Sequence, residues 1–149
     1  MNQLRATILL ITCAMLGACT AGKESPRGFS LPEGNAEAGR AAFMALQCNT
    51  CHTSQDVKQL DSETDISVML GGEVGRVKTY ADLVTSIINP SHRLARGYPT
   101  AEIAEGTESL MRNYNQVMSV QELVDIVSYL QPQYSLRVYE PTVYRGYHP

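Results

Sequence analysis

Five consecutive residues, Cys48-Asn49-Thr50-Cys51-His52, constrain the fold of this 149-residue chain more than any others. Two thiols three positions apart, with an imidazole directly behind the second, form the attachment signature of a c-type haem. The spacing follows from the chemistry. Each thiol adds across one vinyl group of the porphyrin, and one helical turn sets the two sulfurs apart by the reach of a porphyrin edge. The next residue then carries its imidazole under the iron as the proximal ligand. A zinc site would need a second ligand pair, but His92 and His148 stand alone and the other cysteines, Cys13 and Cys19, lie near the N-terminus. A thioredoxin-like pair would want a βαβ context, which is lacking here. The motif assigns one covalent haem c to Cys48, Cys51 and His52.

Residues 1–18 read as an export signal, with Arg5 near the amino terminus and a nearly unbroken apolar run from Ala6 to Leu16 that is too short to span a bilayer. The run ends Leu16-Gly17-Ala18-Cys19, which resembles the lipobox of bacterial lipoproteins. That resemblance implies cleavage before Cys19 and a lipid on its sulfur. Thr20 rather than aspartate follows, which in enteric bacteria favours the outer membrane. The other cleavage reading is an ordinary signal peptidase site with Cys19 as bystander. With Cys13 removed, Cys19 acylated and Cys48 and Cys51 on haem, no thiol remains for a disulfide, so export rather than cystine content indicates the oxidising compartment. The formal charge of −3 becomes slightly more negative once Arg5 is lost, and no basic run appears, which argues against a nucleic-acid partner.

Residues 19–34 read as a tether, polar and punctuated by Gly22, Pro26, Gly28 and Pro32. Asn35 then caps a helix on which Gly39, Ala42, Phe43 and Leu46 recur at helical spacing. Residues 53–78 read as polar and irregular, with Ile66, Val68, Met69 and Leu70 as their apolar cluster. Thr79 and Asp82 open a second helix that runs to Ile88 and is stopped by Asn89-Pro90. A short helix is expected within Ala101–Glu105. Ser119-Val120-Gln121-Glu122 is a capping box for the last helix, with Met118 and Leu123 placed as a staple and Pro132 as its stop. Val120, Leu123, Val124, Ile126, Val127 and Leu130 give that helix a broad apolar face. Beyond it, residues 132–149 form a tyrosine-rich extension with Tyr134, Tyr139, Tyr144 and Tyr147, read as an arm packed on the domain or as a docking strap.

Sulfur and nitrogen candidates for the second axial position are Met44, Met69, Met111, Met118, His92 and His148. Met44 lies on a helix face already committed, Met69 reads as core filler, and Met118 as a staple. Met111 lies in a loop eight residues before the cap of the last helix, from which a side chain can approach the far face of a ring.

Residues 35–131 resemble the class I cytochromes c. Three stretches carry the resemblance: Asn35 to Phe43 as the N-terminal helix, Cys48 to His52 as the haem site, and Met111 through Ser119, Glu122 and Tyr129-Leu130 as the methionine loop and C-terminal helix. It implies an all-α domain wrapped around one haem, with Gly39 and Phe43 on the first helix crossing Tyr129 on the last. It also implies His52 as the proximal and Met111 as the distal iron ligand. Two features depart from the family pattern. Arg112 stands where a proline often follows the methionine, and no proline lies between His52 and Pro90, so another carbonyl or water must orient the imidazole. Arg76, Lys78 and Tyr80 are candidates for the haem propionates, or a solvated basic turn. Arg93, Arg96 and His92 are candidates for a partner-facing cluster.

The function implied is a periplasmic, lipid-anchored carrier of single electrons between a donor and an acceptor protein, not an enzyme on its own. Its rivals are a haem enzyme or gas or redox sensor with an open or displaceable distal site, and a haem subunit of a larger redox complex.

Overall fold

A computed structural model describes residues 31–61 and 65–138. The expected signal, Cys13, Cys19, residues 20–30 of the tether, Tyr139, Tyr144, Tyr147 and His148 lie outside the described residues. The chain divides between Pro32 and Glu33, and every helix and strand described belongs to the unit that begins at Glu33.

Four α-helices occur among the described residues: α1 (Ala36–Ala45), α2 (Tyr80–Ile88), α3 (Thr100–Ile103) and α4 (Val120–Leu130). Three of their starts are where the capping residues put them. Asn35 accepts from the Ala38 amide at 3.0 Å. Thr79 with Asp82, and Ser119 with Glu122, form reciprocal capping boxes. Such caps satisfy donors that a helix leaves unpaired, each contributing about 1 kcal/mol.

The core is built where α1 crosses α4. Phe43, Val124 and Val127 are completely enclosed, and burying side chains of this size stabilises by about 1.5–3 kcal/mol each. Gly39 makes the crossing close: a methyl group there would collide with the Asp125 carbonyl oxygen and backbone. One turn on, the Phe43 and Tyr129 rings meet with centroids 5.8 Å apart, tilted by 56°. The glycine and aromatic pairing expected across these helices is therefore present. Two details of α4 depart from its apolar pattern. Val120 is exposed, and Asp125 is buried on the packed face. Asp125 is satisfied there by the Asn35 amide at 2.7 Å and the Gln121 side chain at 2.9 Å, so it ties the N-terminus of α1 to α4.

The expectation of an all-α domain is corrected: among the described residues six short strands accompany the helices, and the fold is mixed in content. β1 (His52–Thr53) pairs in parallel with β2 (Val68–Met69), β3 (Gly72–Val74) pairs in parallel with β6 (Tyr134–Leu136), and β4 (Ala104–Glu105) pairs antiparallel with β5 (Glu108–Ser109). No strand among the described residues exceeds three residues, too short for a period-two pattern to show. The two parallel ladders also join segments far apart in sequence, so neither announces itself by a turn. The apolar segment 66–70, read as irregular from its sequence, thus contains β2. The short helix begins one residue earlier than expected and gives way at Ala104 to β4, with Gly106 taking a positive φ of 61° in the hairpin. After Leu130 the chain makes a 3-10 turn, Gln131–Gln133, around Pro132 and continues as β6. The start of the C-terminal extension is therefore packed on the domain.

Candidate functional site

The Cys-Asn-Thr-Cys-His segment is set by how α1 ends. Gln47 adopts a left-handed conformation, φ 57°, and its amide bonds the Met44 carbonyl at 2.9 Å. That reversal leads into a 3-10 turn, Cys48–Thr50, closed by the Cys51 amide on the Cys48 carbonyl at 3.3 Å. The two thiols consequently stand one turn apart on a fixed backbone, and both are free. The loop beyond is stitched to this turn: the Leu60 amide bonds the Asn49 carbonyl at 2.9 Å, and the Gln59 side chain bridges the carbonyls of Thr50 and Ile66 at 2.8 and 2.7 Å. Burial pushes the Cys48 thiol up to about 11.

His52 follows in β1, where the Val68 amide bonds the Cys51 carbonyl and the Leu70 amide bonds the Thr53 carbonyl, each at 2.8 Å. This ladder brings the Val68 carbonyl to 3.3 Å from His52 Nδ1. A donor at Nδ1 leaves Nε2 as the lone-pair nitrogen, the tautomer a metal ligand requires. Burial lowers the His52 pKa below the ordinary imidazole value, against the weaker opposing effect of the Val68 hydrogen bond. The ring is thus held neutral. Val68 fills the role for which the sequence offered no proline, and nothing local in the sequence marks it.

Cys48, Cys51, His52 and Met111 all line one cavity of about 1040 Å³, at the upper end of the range for small-molecule sites, about 300–1,000 Å³. α2 supplies Leu83 and Ile87 to its wall, and α4 supplies Ile126 and Leu130. Met111 is positioned by a chain of polar contacts. Its amide bonds Ser109 Oγ at 3.2 Å, the Ser109 amide bonds Ser91 Oγ at 3.0 Å, and Ser91 donates to Glu108 at 2.7 Å. Three residues on, the buried Tyr114 donates its hydroxyl to the Leu46 carbonyl at 2.9 Å, pinning the methionine loop to the end of α1.

Of the other ligand candidates, Met118, Met69 and His92 also border the cavity, whereas Met44 does not. Met69 is 70 % exposed, which rules out the core-filler reading, and His92 is likewise exposed. Met111 and Met118 are the half-buried thioethers at the cavity. The basic residues singled out in the sequence gather here as well. Arg76, Lys78, Arg93, Arg96 and Arg112 border the cavity against one carboxylate, Asp82. Arg76 and Arg93 approach Asp82 at 3.9 and 3.6 Å. The Thr79 cap, more than these cations, holds the Asp82 carboxyl below its ordinary value. Tyr80 is not among the lining residues; its hydroxyl is buried with no hydrogen-bond partner.

The residues present fit a covalently held haem on observations of the structure itself. The cavity is large enough and mostly apolar, both cysteines line it, and the imidazole is neutral with Nε2 as its lone-pair nitrogen. Its cationic border suits a ring that carries two carboxylates. Among the described residues no cluster of three or more His, Cys, Asp or Glu is arranged to hold a bare metal ion. No protein-family model, curated protein or solved structure matches this chain.

Proposed function

We propose that the protein is a c-type cytochrome that carries single electrons, anchored by a lipid on Cys19 at the periplasmic face of a membrane. The observation that carries this reading is the convergence of Cys48, Cys51, His52 and Met111 on one cavity, with Val68 fixing the His52 tautomer. Cys48 and Cys51 would hold the haem by thioethers, and His52 Nε2 and the Met111 sulfur would occupy its two axial positions. Haem bound there supplies reversible one-electron exchange, at a potential that a thioether ligand raises relative to two nitrogens.

This chain's own contribution is to orient and to shield. The β1–β2 ladder holds the imidazole, the Ser91–Ser109 contacts hold the methionine loop, and the apolar faces of α2 and α4 keep water from the ring. Arg76, Lys78 and their cationic neighbours offer counter-charges for the ring carboxylates. With His52 and Met111 holding the iron, electrons would pass between donor and acceptor proteins through the bound haem, and small substrates would be kept from it.

The ferric absorption spectrum of the purified protein tests the ligand set. The expected result is a weak sulfur-to-iron band at long visible wavelength, lost in Met111→Ala while the pigment stays covalently bound. Loss of the band in Met118→Ala instead would overturn the Met111 assignment. A high-spin ferric spectrum with rapid carbon monoxide binding would overturn the carrier reading in favour of a sensor or enzyme.

A further inference from the structure

The chain does not end at α4, and the segment after this helix reaches the cavity. Gln133, in the turn after the helix, is held by hydrogen bonds to Gln55 and Tyr129. Its side chain accepts from the Gln55 amide at 3.1 Å and donates to the Tyr129 carbonyl at 3.2 Å, and its carbonyl accepts from the Gln55 side chain at 3.0 Å. Gln55 lies three residues past His52. β6 then runs beside β3, with Gly72 opposite Tyr134, and the Arg137 amide extends the ladder to the Val74 carbonyl at 3.0 Å. Gly71, φ +90°, lets the arm come this close. A Cβ there would stand 3.0 Å from Gln133 Cβ and 3.1 Å from its carbonyl oxygen, in a conformation that already disfavours side chains.

The segment from Val68 to Val74 is therefore clamped at both ends, by the His52 strand at one and by the C-terminal arm at the other. Tyr134 enters the cavity lining at this point beside Leu70 and Gly71. We propose that the arm Gln133–Leu136 is a positioning element for the haem site: Tyr134 is its water-excluding wall, and Gln133 holds the strand whose Val68 carbonyl orients His52. The inference rests on the haem reading above. An aromatic wall matters to a redox centre because admitting water favours the more highly charged oxidised iron.

The test uses the full-length protein matured with haem, comparing Tyr134→Ala, Tyr134→Phe and Gln133→Ala. At a fixed ambient potential Tyr134→Ala moves the oxidised-to-reduced ratio about threefold or more toward oxidised, as solvent exposure of the site requires, and Tyr134→Phe restores it. Gln133→Ala shifts the ratio in the same direction and speeds hydrogen exchange at the Val68 and Leu70 amides. An unmoved ratio in Tyr134→Ala, or equal shifts in the Ala and Phe variants, would overturn the wall. Unchanged exchange in Gln133→Ala would overturn the clamp, and that variant decides the question alone if Tyr134→Ala does not accumulate. Pigment in the unaltered chain with no shift in any variant sinks the arm's role alone; no pigment in the unaltered chain sinks the haem reading and this role with it.

Discussion

The α1–α4 crossing and the β1–α3 half of the molecule are built by different means. The crossing is a close-packed interface, with Gly39 against the Asp125 backbone, Phe43 against Tyr129, and Val124 and Val127 fully enclosed. The other half sets α2 and the short α3 among two- and three-residue strands and turns around an open cavity of about 1040 Å³. Leu60, Met69 and Val77 are exposed there. One region is a single tight interface, and the other combines the buried Val57, Leu83, Val84, Ile103 and Ala104 with an open cavity. The two regions meet at the cavity, where Phe43 of α1 and Ile126 and Leu130 of α4 join the lining.

If that contrast is right, the largest stability effect comes from the crossing. Gly39→Ala forces a methyl into the Asp125 carbonyl and is expected to cost about 3 kcal/mol or more, read by chemical denaturation. A loss below about 1 kcal/mol would mean the helices separate easily and would break the comparison.

Removing the two thiols that would hold a haem sharpens it. In the double variant Cys48→Ser, Cys51→Ser, the amides of α1 and α4 are expected to keep their hydrogen-exchange protection while those of β1, β2 and α2 lose most of theirs. Equal loss in both regions would show that the crossing depends on the cofactor too.

A smaller effect belongs to the seam between the regions, where Tyr129 donates to Asp56 at 2.6 Å and Arg40 pairs with the same carboxylate at 2.7 Å. The Tyr129 hydroxyl first, then Arg40 and Ser54, hold the Asp56 carboxyl below its ordinary value of 3.8. A carboxyl depressed in the folded state binds fewer protons there than in the unfolded chain. Its contribution is therefore full above about pH 3.8 and is lost as pH falls through the folded value. Both side chains of the ion pair are more than two-fifths exposed, so screening keeps the contribution under about 1 kcal/mol. Asp56→Asn should flatten this acid limb of the stability curve, and an unchanged limb would contradict the assignment.

The smallest effect is expected at Gln47, whose left-handed φ of 57° ends α1. Gln47→Gly relieves strain of roughly 1 kcal/mol and loosens the unfolded chain by a similar or smaller amount, so the net change in denaturation midpoint is slight and stabilising.

The same contrast governs what the sequence made legible. Caps at Asn35, Thr79 and Ser119, and the faces of α1 and α4, are local signals, and each element appears where they put it. The close approach at Gly39 was also readable, because a glycine inside a helix asks for a reason. The strands were not legible, since β1–β2 and β3–β6 exist only through partners distant in the chain. For the same reason the Val68 carbonyl, the Gln133 clamp and the place of Tyr134 at the cavity escaped notice: each acts through a contact no nearby residue implies. Asp125 escaped because a carboxylate on an apolar face reads as an interruption until its partner amide, Asn35, is folded against it.

The central claim is one porphyrin joined by two sulfur–carbon bonds to Cys48 and Cys51. It is tested most directly by denaturing electrophoresis of the chain made in cells competent for haem attachment, stained for haem peroxidase activity. The account predicts a stained band at the mass of the chain, absent in the double variant Cys48→Ser, Cys51→Ser. An unstained band from the unaltered chain under those conditions would contradict it.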